Sequence, residues 1–147
     1  DVNIKGVLYG IAAALPIMEE QGEGQIVNVS SIGGHSVSPT AAVYCATKFA
    51  VIGLTETVAR EVGPAGVRVN ALCPGAISGE LMDRVVAKRA AAEGRDPTEI
   101  IKQNYTDVAA LRRWVTPEEV AAAALFLASD ASSSLTGERI RTDAGRF

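Results

Sequence analysis

Residues 25–75 read QIVNVSSIGGHSVSPTAAVYCATKFAVIGLTETVAREVGPAGVRVNALCPG, and the order of signals in them decides the fold. The opening QIVNVS is a short β-branched run of the kind a buried parallel strand needs. IGGHSVSPT, residues 32–40, has the glycine, serine and proline of a loop. Residues 41–62 then suit a long helix, which GPAG at 63–66 stops. VRVNALC at 67–73 is a second apolar strand, broken by Pro74–Gly75. Strand, helix and strand in that order form a right-handed crossover unit, so the sheet is parallel and the class α/β.

Upstream, DVNIKGVLYGIAAAL at 1–15 predicts a helix apolar nearly all round, which Pro16 is expected to end or kink. Downstream, residues 80–115 turn charged and alanine-rich, and are expected to form a flap over a site. Thr116–Pro117–Glu118–Glu119 is a helix start, with a threonine cap, a first-turn proline and acids where the dipole favours them. That helix is expected to reach about residue 129, and GERIRTD offers a third strand. No internal repeat or linker divides residues 1–147, which read as one domain. Strand 25–30 would leave a bare edge without a neighbour. The chain also opens at Asp1, directly in helical periodicity. The expectation is therefore a partial domain, three strands with flanking helices, lacking part of a doubly wound sheet.

Hydrophobic residues are 48% of the 147, charged residues 21%, and the net charge is −3. That profile is soluble and globular, and its acidic balance argues against nucleic acid or an anionic membrane as partner. The longest charge-free apolar run, residues 6–18, falls short of the roughly 20 residues that span a bilayer. Cys45 and Cys73 match no metal or redox spacing and read as free thiols in a cytoplasmic protein. His35, the one histidine, sits in the Gly/Ser loop and is expected to be solvated there.

Ligands of such sheets bind outside the C-terminal ends of the strands. Ser31 follows one strand, Pro74–Gly75 ends the other, and Tyr44 and Lys48 stand near the start of the connecting helix at the same end. Tyr44 and Lys48 are four residues apart, so phenol and ammonium share a helix face. A tyrosine, with an ordinary pKa of about 10, is a poor base until a nearby cation favours its phenolate. Ser31 could hold a carbonyl or hydroxyl oxygen for proton transfer by Tyr44. These roles describe an alcohol–carbonyl interconversion with hydride passing to or from a nicotinamide. A Tyr-x-x-x-Lys pair alone is weak, since a lysine snorkelling over a packed helix fits it too, and a lone Ser31 could simply cap a turn.

Taken together, the chain resembles the short-chain dehydrogenase/reductase family, specifically its C-terminal catalytic portion with a Rossmann-like sheet. The family's YxxxK motif stands as Tyr44-Cys45-Ala46-Thr47-Lys48, and its serine thirteen residues earlier as Ser31 in VNVSS. Its helical asparagine, about 28 residues before that serine, falls on Asn3 in DVNIKG. N-x-x-x-PG stands as Asn70 to Gly75, and SLTGERIRTDAG resembles the closing strand. The resemblance implies Tyr44 as general acid/base, with Lys48 favouring the phenolate and binding the nicotinamide ribose. It implies Ser31 as the substrate-oxygen ligand and Asn3 as support for a water-linked proton relay. It implies Pro74, Gly75, Ile77 and the backbone of Val29 around the nicotinamide of NAD or NADP. It implies an alcohol or ketone substrate and a homodimer or homotetramer built on helices 1–15 and 41–62.

The sequence departs from the family in places. Gly79 stands where a threonine is usual, with Ser78 beside it, and D-G-G is Asp143-Ala144-Gly145. Neither G-x-x-x-G-x-G nor G-x-G-x-x-G occurs in 1–147, so no phosphate loop is present to take a pyrophosphate. The expectation is a fragment whose N-terminal, nucleotide-binding half lies elsewhere, the 147 residues alone being inactive. A catalytically inactive remnant serving only oligomer association, and a complete enzyme using Tyr–Lys without nicotinamide, remain as other readings.

Overall fold

The computed structural model describes residues 1–146. Its core is a parallel sheet of three strands in the order β1 (Gly24–Val29), β2 (Val67–Pro74), β3 (Arg139–Thr142). Gly24 pairs with Val67 and Val29 with Leu72, while Ala71 pairs with Arg139 and Pro74 with Thr142. The helices are α1 (Val7–Gln21), α2 (Ala42–Val62), α3 (Glu80–Glu93), α4 (Pro97–Ile101) and α5 (Pro117–Ala128). A π-helical turn, Val2–Gly6, leads into α1.

Alternation along the strands sorts the layers. Val67 and Val69 of β2, with Ile26 of β1, pack against Ile11 of α1 and Val58, Ala59 and Val62 of α2. Ala71 and Cys73 continue that face under Ile52. The opposite parity meets α5: Gln25 donates to the carbonyl of Ala128 and Arg68 to that of Leu127. Both faces of β2 are thus covered, and its two polar side chains, Arg68 and Asn70, are hydrogen-bonded on the α5 side rather than left to solvent.

Two expectations are corrected. Of the two outcomes expected at Pro16, the ending is the one corrected: the first helix continues to Gln21, with Pro16 inside it. Leu15 and Met18 both pack on the core cluster, so burial on the far side of the proline offsets its missing N–H. The length argument against a membrane span falls with it. Val2–Gln21 and Ala42–Ala65 are both long and apolar enough to cross one, although in this fold each packs on the sheet.

The 80–115 segment holds α3, α4 and a π-helical stretch, Lys102–Thr106, with an apolar cluster of their own: Val86, Ala90 and Ile100, against which Tyr105 and Trp114 pack, their two rings edge to face with each other. It is joined to the rest by short bridges, Ile77 to Val115 and Ala109 to Arg146.

The predicted start of α5 forms as a capping box. Thr116 Oγ1 accepts from the Glu119 N–H, and the Thr116 N–H donates to Glu119 Oε2 at 2.9 Å. Arg113 grips the same carboxylate at 2.6 and 2.8 Å. These contacts, Arg113 first, lower the Glu119 carboxyl from 4.5 to about 2. A carboxyl lowered by folding stabilises the fold above its unfolded value and loses that contribution as pH falls through its folded value. The stability advantage over Glu119→Gln is therefore expected to be complete near pH 5 and to vanish towards pH 2. Urea titrations of both proteins across that range check it.

Candidate active site

The end of β1 and the first turns of α2 meet at the C-terminal edge of the sheet. Lys48 reaches back across the gap, and its Nζ donates to the carbonyl of Val29 at 3.2 Å. The same ammonium lies 5.8 Å from the centre of the Tyr44 ring. Partial burial pushes the Lys48 amine below its ordinary value, against a smaller opposing effect of Cys73. An ammonium placed there costs solvation and is held by one fixed acceptor, not by a carboxylate.

Tyr44 is 46% exposed, with its phenol ring lying over Gly33. A Cβ at Gly33 would stand 3.0 Å from Tyr44 Cε1, so a side chain there would press on the ring. Ser31, two residues before Gly33, caps a 3-10 turn, its Oγ accepting the Gly33 N–H at 3.0 Å. That is the turn-capping role foreseen for a lone serine, and it leaves the hydroxyl proton free of this bond. Asn3 lies in the π-helical turn, exposed, with its amide 3.5 Å from Thr47 Oγ1; Thr47 in turn donates to the Tyr44 carbonyl at 2.7 Å. Asn3 thus meets α2 between Tyr44 and Lys48.

The second strand end lies alongside, since the Ser30 N–H donates to the Leu72 carbonyl at 2.8 Å. Pro74 is the last residue of β2, and the Gly75 N–H donates to the Thr142 carbonyl at 3.0 Å. Gly75 is tight against β3: a Cβ would meet Asp143 Cα at 2.8 Å. Ile77 forms a parallel bridge to Val115 whose two bonds run through Ser78 and Ala76. Those bonds use neither the N–H nor the C=O of Ile77, which face away from the bridge. Gly79 adopts φ 136° and ψ 176°, a conformation reserved for glycine, so a threonine side chain has no relaxed place there.

The structure therefore brings Val29, Ser31, Tyr44 and Lys48 to one strand end and sets Pro74 and Gly75 beside them. His35 corrects its expectation. It is half-buried, its Nε2 has no partner, and burial followed by Arg139 and Arg141 pushes it below its ordinary value. Ser30 and Cys73 were not signalled as site residues, because their contacts are long-range.

The donor set suits a nicotinamide nucleoside. Lys48 has three N–H donors and spends one on Val29, leaving two for a ribose diol, and the Ile77 backbone offers the N–H and C=O pair that a carboxamide matches.

The family model described as enoyl-(acyl carrier protein) reductase matches residues 1–146. A D-beta-hydroxybutyrate dehydrogenase of Rhizobium meliloti is 34% identical over 98% of this chain and 56% of its own length. A 3-alpha-(or 20-beta)-hydroxysteroid dehydrogenase of Mycobacterium bovis is 40% identical over 99% of this chain and 49% of its own. The crystal structure of an NAD+-bound xylitol dehydrogenase superposes with a TM-score of 0.91 at 32% identity, covering 98% of this chain and 57% of that one. The chain spans about half the length of the curated relatives it matches.

Proposed function

The chain belongs to the short-chain dehydrogenase/reductase family, and from that premise we propose that it carries the proton-transfer site of an NAD(P)-dependent oxidoreductase interconverting an alcohol and a carbonyl. The observation that supports this most is the Lys48 ammonium, fixed on the Val29 carbonyl at 3.2 Å and lying 5.8 Å from the Tyr44 ring. A bound NAD or NADP supplies the hydride acceptor or donor.

The chain's own residues move and place the proton. Tyr44 gives its phenolic proton to a carbonyl oxygen during reduction and takes the hydroxyl proton during oxidation. Lys48 keeps its charge beside the phenol and holds the nicotinamide ribose with its remaining donors. Ser31 donates to the substrate oxygen and fixes it near the phenol. Asn3, through the backbone of its π-helical turn, supports a water that returns protons to Lys48. Val29, Pro74, Gly75 and Ile77 hold the nicotinamide end. The pyrophosphate falls to protein outside residues 1–147, because no glycine-rich phosphate loop occurs within them. The same reading makes the protein a cytoplasmic homodimer or homotetramer acting on a small alcohol or ketone, with 80–115 as the flap over it.

The test uses the protein at its natural length, incubated with NADH or NADPH and a panel of ketones and aldehydes, and with NAD or NADP and the matching alcohols. Turnover of at least one pair, lost with Tyr44→Phe, supports the reading. No saturable nicotinamide binding, or turnover without nucleotide, overturns it.

A further inference from the structure

Ser30 precedes Ser31 and has none of the roles above, yet it is among the best-buried polar residues, at 3% exposure. Its hydroxyl donates to the backbone carbonyl of Lys48 at 2.9 Å. A carbonyl inside a helix already has the N–H four residues on, here that of Ile52, so α2 does not need this bond to form. The extra donor links helix to strand instead. The Cys73 thiol, pushed up chiefly by burial, shares a hydrogen bond with the same serine, which ties in the end of β2. Gly34 closes the joint: a Cβ there would stand 2.7 Å from Ile52 Cδ1 and 2.8 Å from both the Lys48 carbonyl oxygen and Ser30 Oγ. Both strand ends, the 3-10 turn and the Lys48 turn of α2 thus meet around one hydroxyl.

Resting on the alcohol–carbonyl reading, we propose that Ser30 is a positioning residue for that reaction: its hydroxyl pins the Lys48 turn of α2 to the end of β1 and so sets where Tyr44 and Lys48 stand relative to Ser31. The residue pinned by its backbone is the one whose side chain crosses to Val29, so one strand end holds Lys48 at both its carbonyl and its ammonium. Tyr44, one turn earlier on the same helix, moves with it. Removing the hydroxyl leaves this turn of α2 with the apolar contacts of Ile52 and the long, flexible Lys48 stem on Val29, while the next fixed hydrogen bond from β1, Asn28 to Thr55, lies two turns further along the helix. A misplacement of about 1 Å at reacting groups costs about 10²-fold in rate.

Ser30→Ala and Ser30→Thr, in the protein at its natural length, test this by two readouts. The first is the kcat and KM split with whichever alcohol and nicotinamide turn over. The second needs no substrate: the titration of Lys48, followed by the resonance of its labelled Cε. Ser30→Ala is expected to lower kcat by about 10–100-fold with KM for the alcohol changed under about threefold. Its Lys48 midpoint is expected to move up towards the ordinary lysine value as the stem loosens and hydrates. Ser30→Thr, which keeps the hydroxyl, is expected to restore both most of the way. An unchanged Lys48 midpoint in Ser30→Ala, or equal losses in the Ala and Thr variants, overturns the role. Tyr44→Phe separates the two readings. If it keeps full turnover, the alcohol–carbonyl reading fails; if it is inactive while Ser30→Ala equals wild type, only the positioning role fails.

Discussion

Tyr44→Phe is expected to lower kcat/KM by about 10²–10⁴-fold, the range that loss of a general acid or base produces. The substitution removes one oxygen and nothing else. The ring keeps its seat over Gly33 and its place beside Lys48. Because Tyr44 is 46% exposed, stability is expected to stay within about 0.5 kcal/mol of wild type. Nicotinamide binding should survive, since Lys48 retains its bond to Val29. Steady-state kinetics, a urea melt and nucleotide titration by fluorescence give the three numbers. A variant with more than about a tenth of wild-type kcat/KM would assign proton transfer to another group, with Ser31 the next to replace. Lys48→Met supplies the complement. Burial already penalises the charged amine, so the methionine protein is expected to be no less stable at neutral pH, while its rate falls with Tyr44→Phe.

Much of this site is legible in the sequence because it depends on two short periods. The helical period puts Tyr44 and Lys48 on one face, and the strand–helix–strand order puts Ser31 and Pro74–Gly75 at the same end of the sheet. What sequence patterns miss depends on partners far along the chain. Pro16 signals a helix end by its own chemistry, but the packing of Met18 against the core carries the helix past it. His35 looks like a loop residue until β3 brings Arg139 and Arg141 towards it. Ser30 is only the first serine of a pair until α2, eighteen residues on, presents a carbonyl. Gly79 is read as a lost threonine, yet its φ of 136° shows a backbone path that a threonine could not follow without strain. Local signals thus place the reacting groups, whereas the groups that hold them in place emerge only from the packed chain.

Arg68 is the strongest case of such long-range dependence, and Arg68→Ala is expected to cost about 3–5 kcal/mol, at the exceptional end for one substitution. From β2 its guanidinium reaches the far end of α5, where a helix has carbonyls without partners. One nitrogen donates to the carbonyls of Leu127 and Ser129, both at 3.2 Å, and also to Gln25 Oε1. The other donates to the carbonyl and hydroxyl of Ser132, both at 3.0 Å, and to the Leu135 carbonyl at 3.3 Å. Hydrogen bonds to a charged group contribute about 1.5–3 kcal/mol each, and water entering the vacated space would recover part of that. The cation also stands at the negative end of the α5 dipole. Arg68→Lys is expected to recover less than half, because a point ammonium cannot serve acceptors spread over a planar fork. Arg139→Ala is the control: it removes an arginine from the same sheet, but one in a surface ion pair with Glu56 at 3.2 Å, expected to matter by under about 1 kcal/mol. Urea midpoints at constant m separate the three. If Arg68→Ala and Arg139→Ala unfold together, α5 is held on the sheet by Leu127, its apolar neighbours and the Gln25–Ala128 bond, without a contribution from Arg68. Because α5 lies on the face opposite α2, the folded fraction of Arg68→Ala should keep the wild-type kcat, so this loss is one of stability with the chemistry intact.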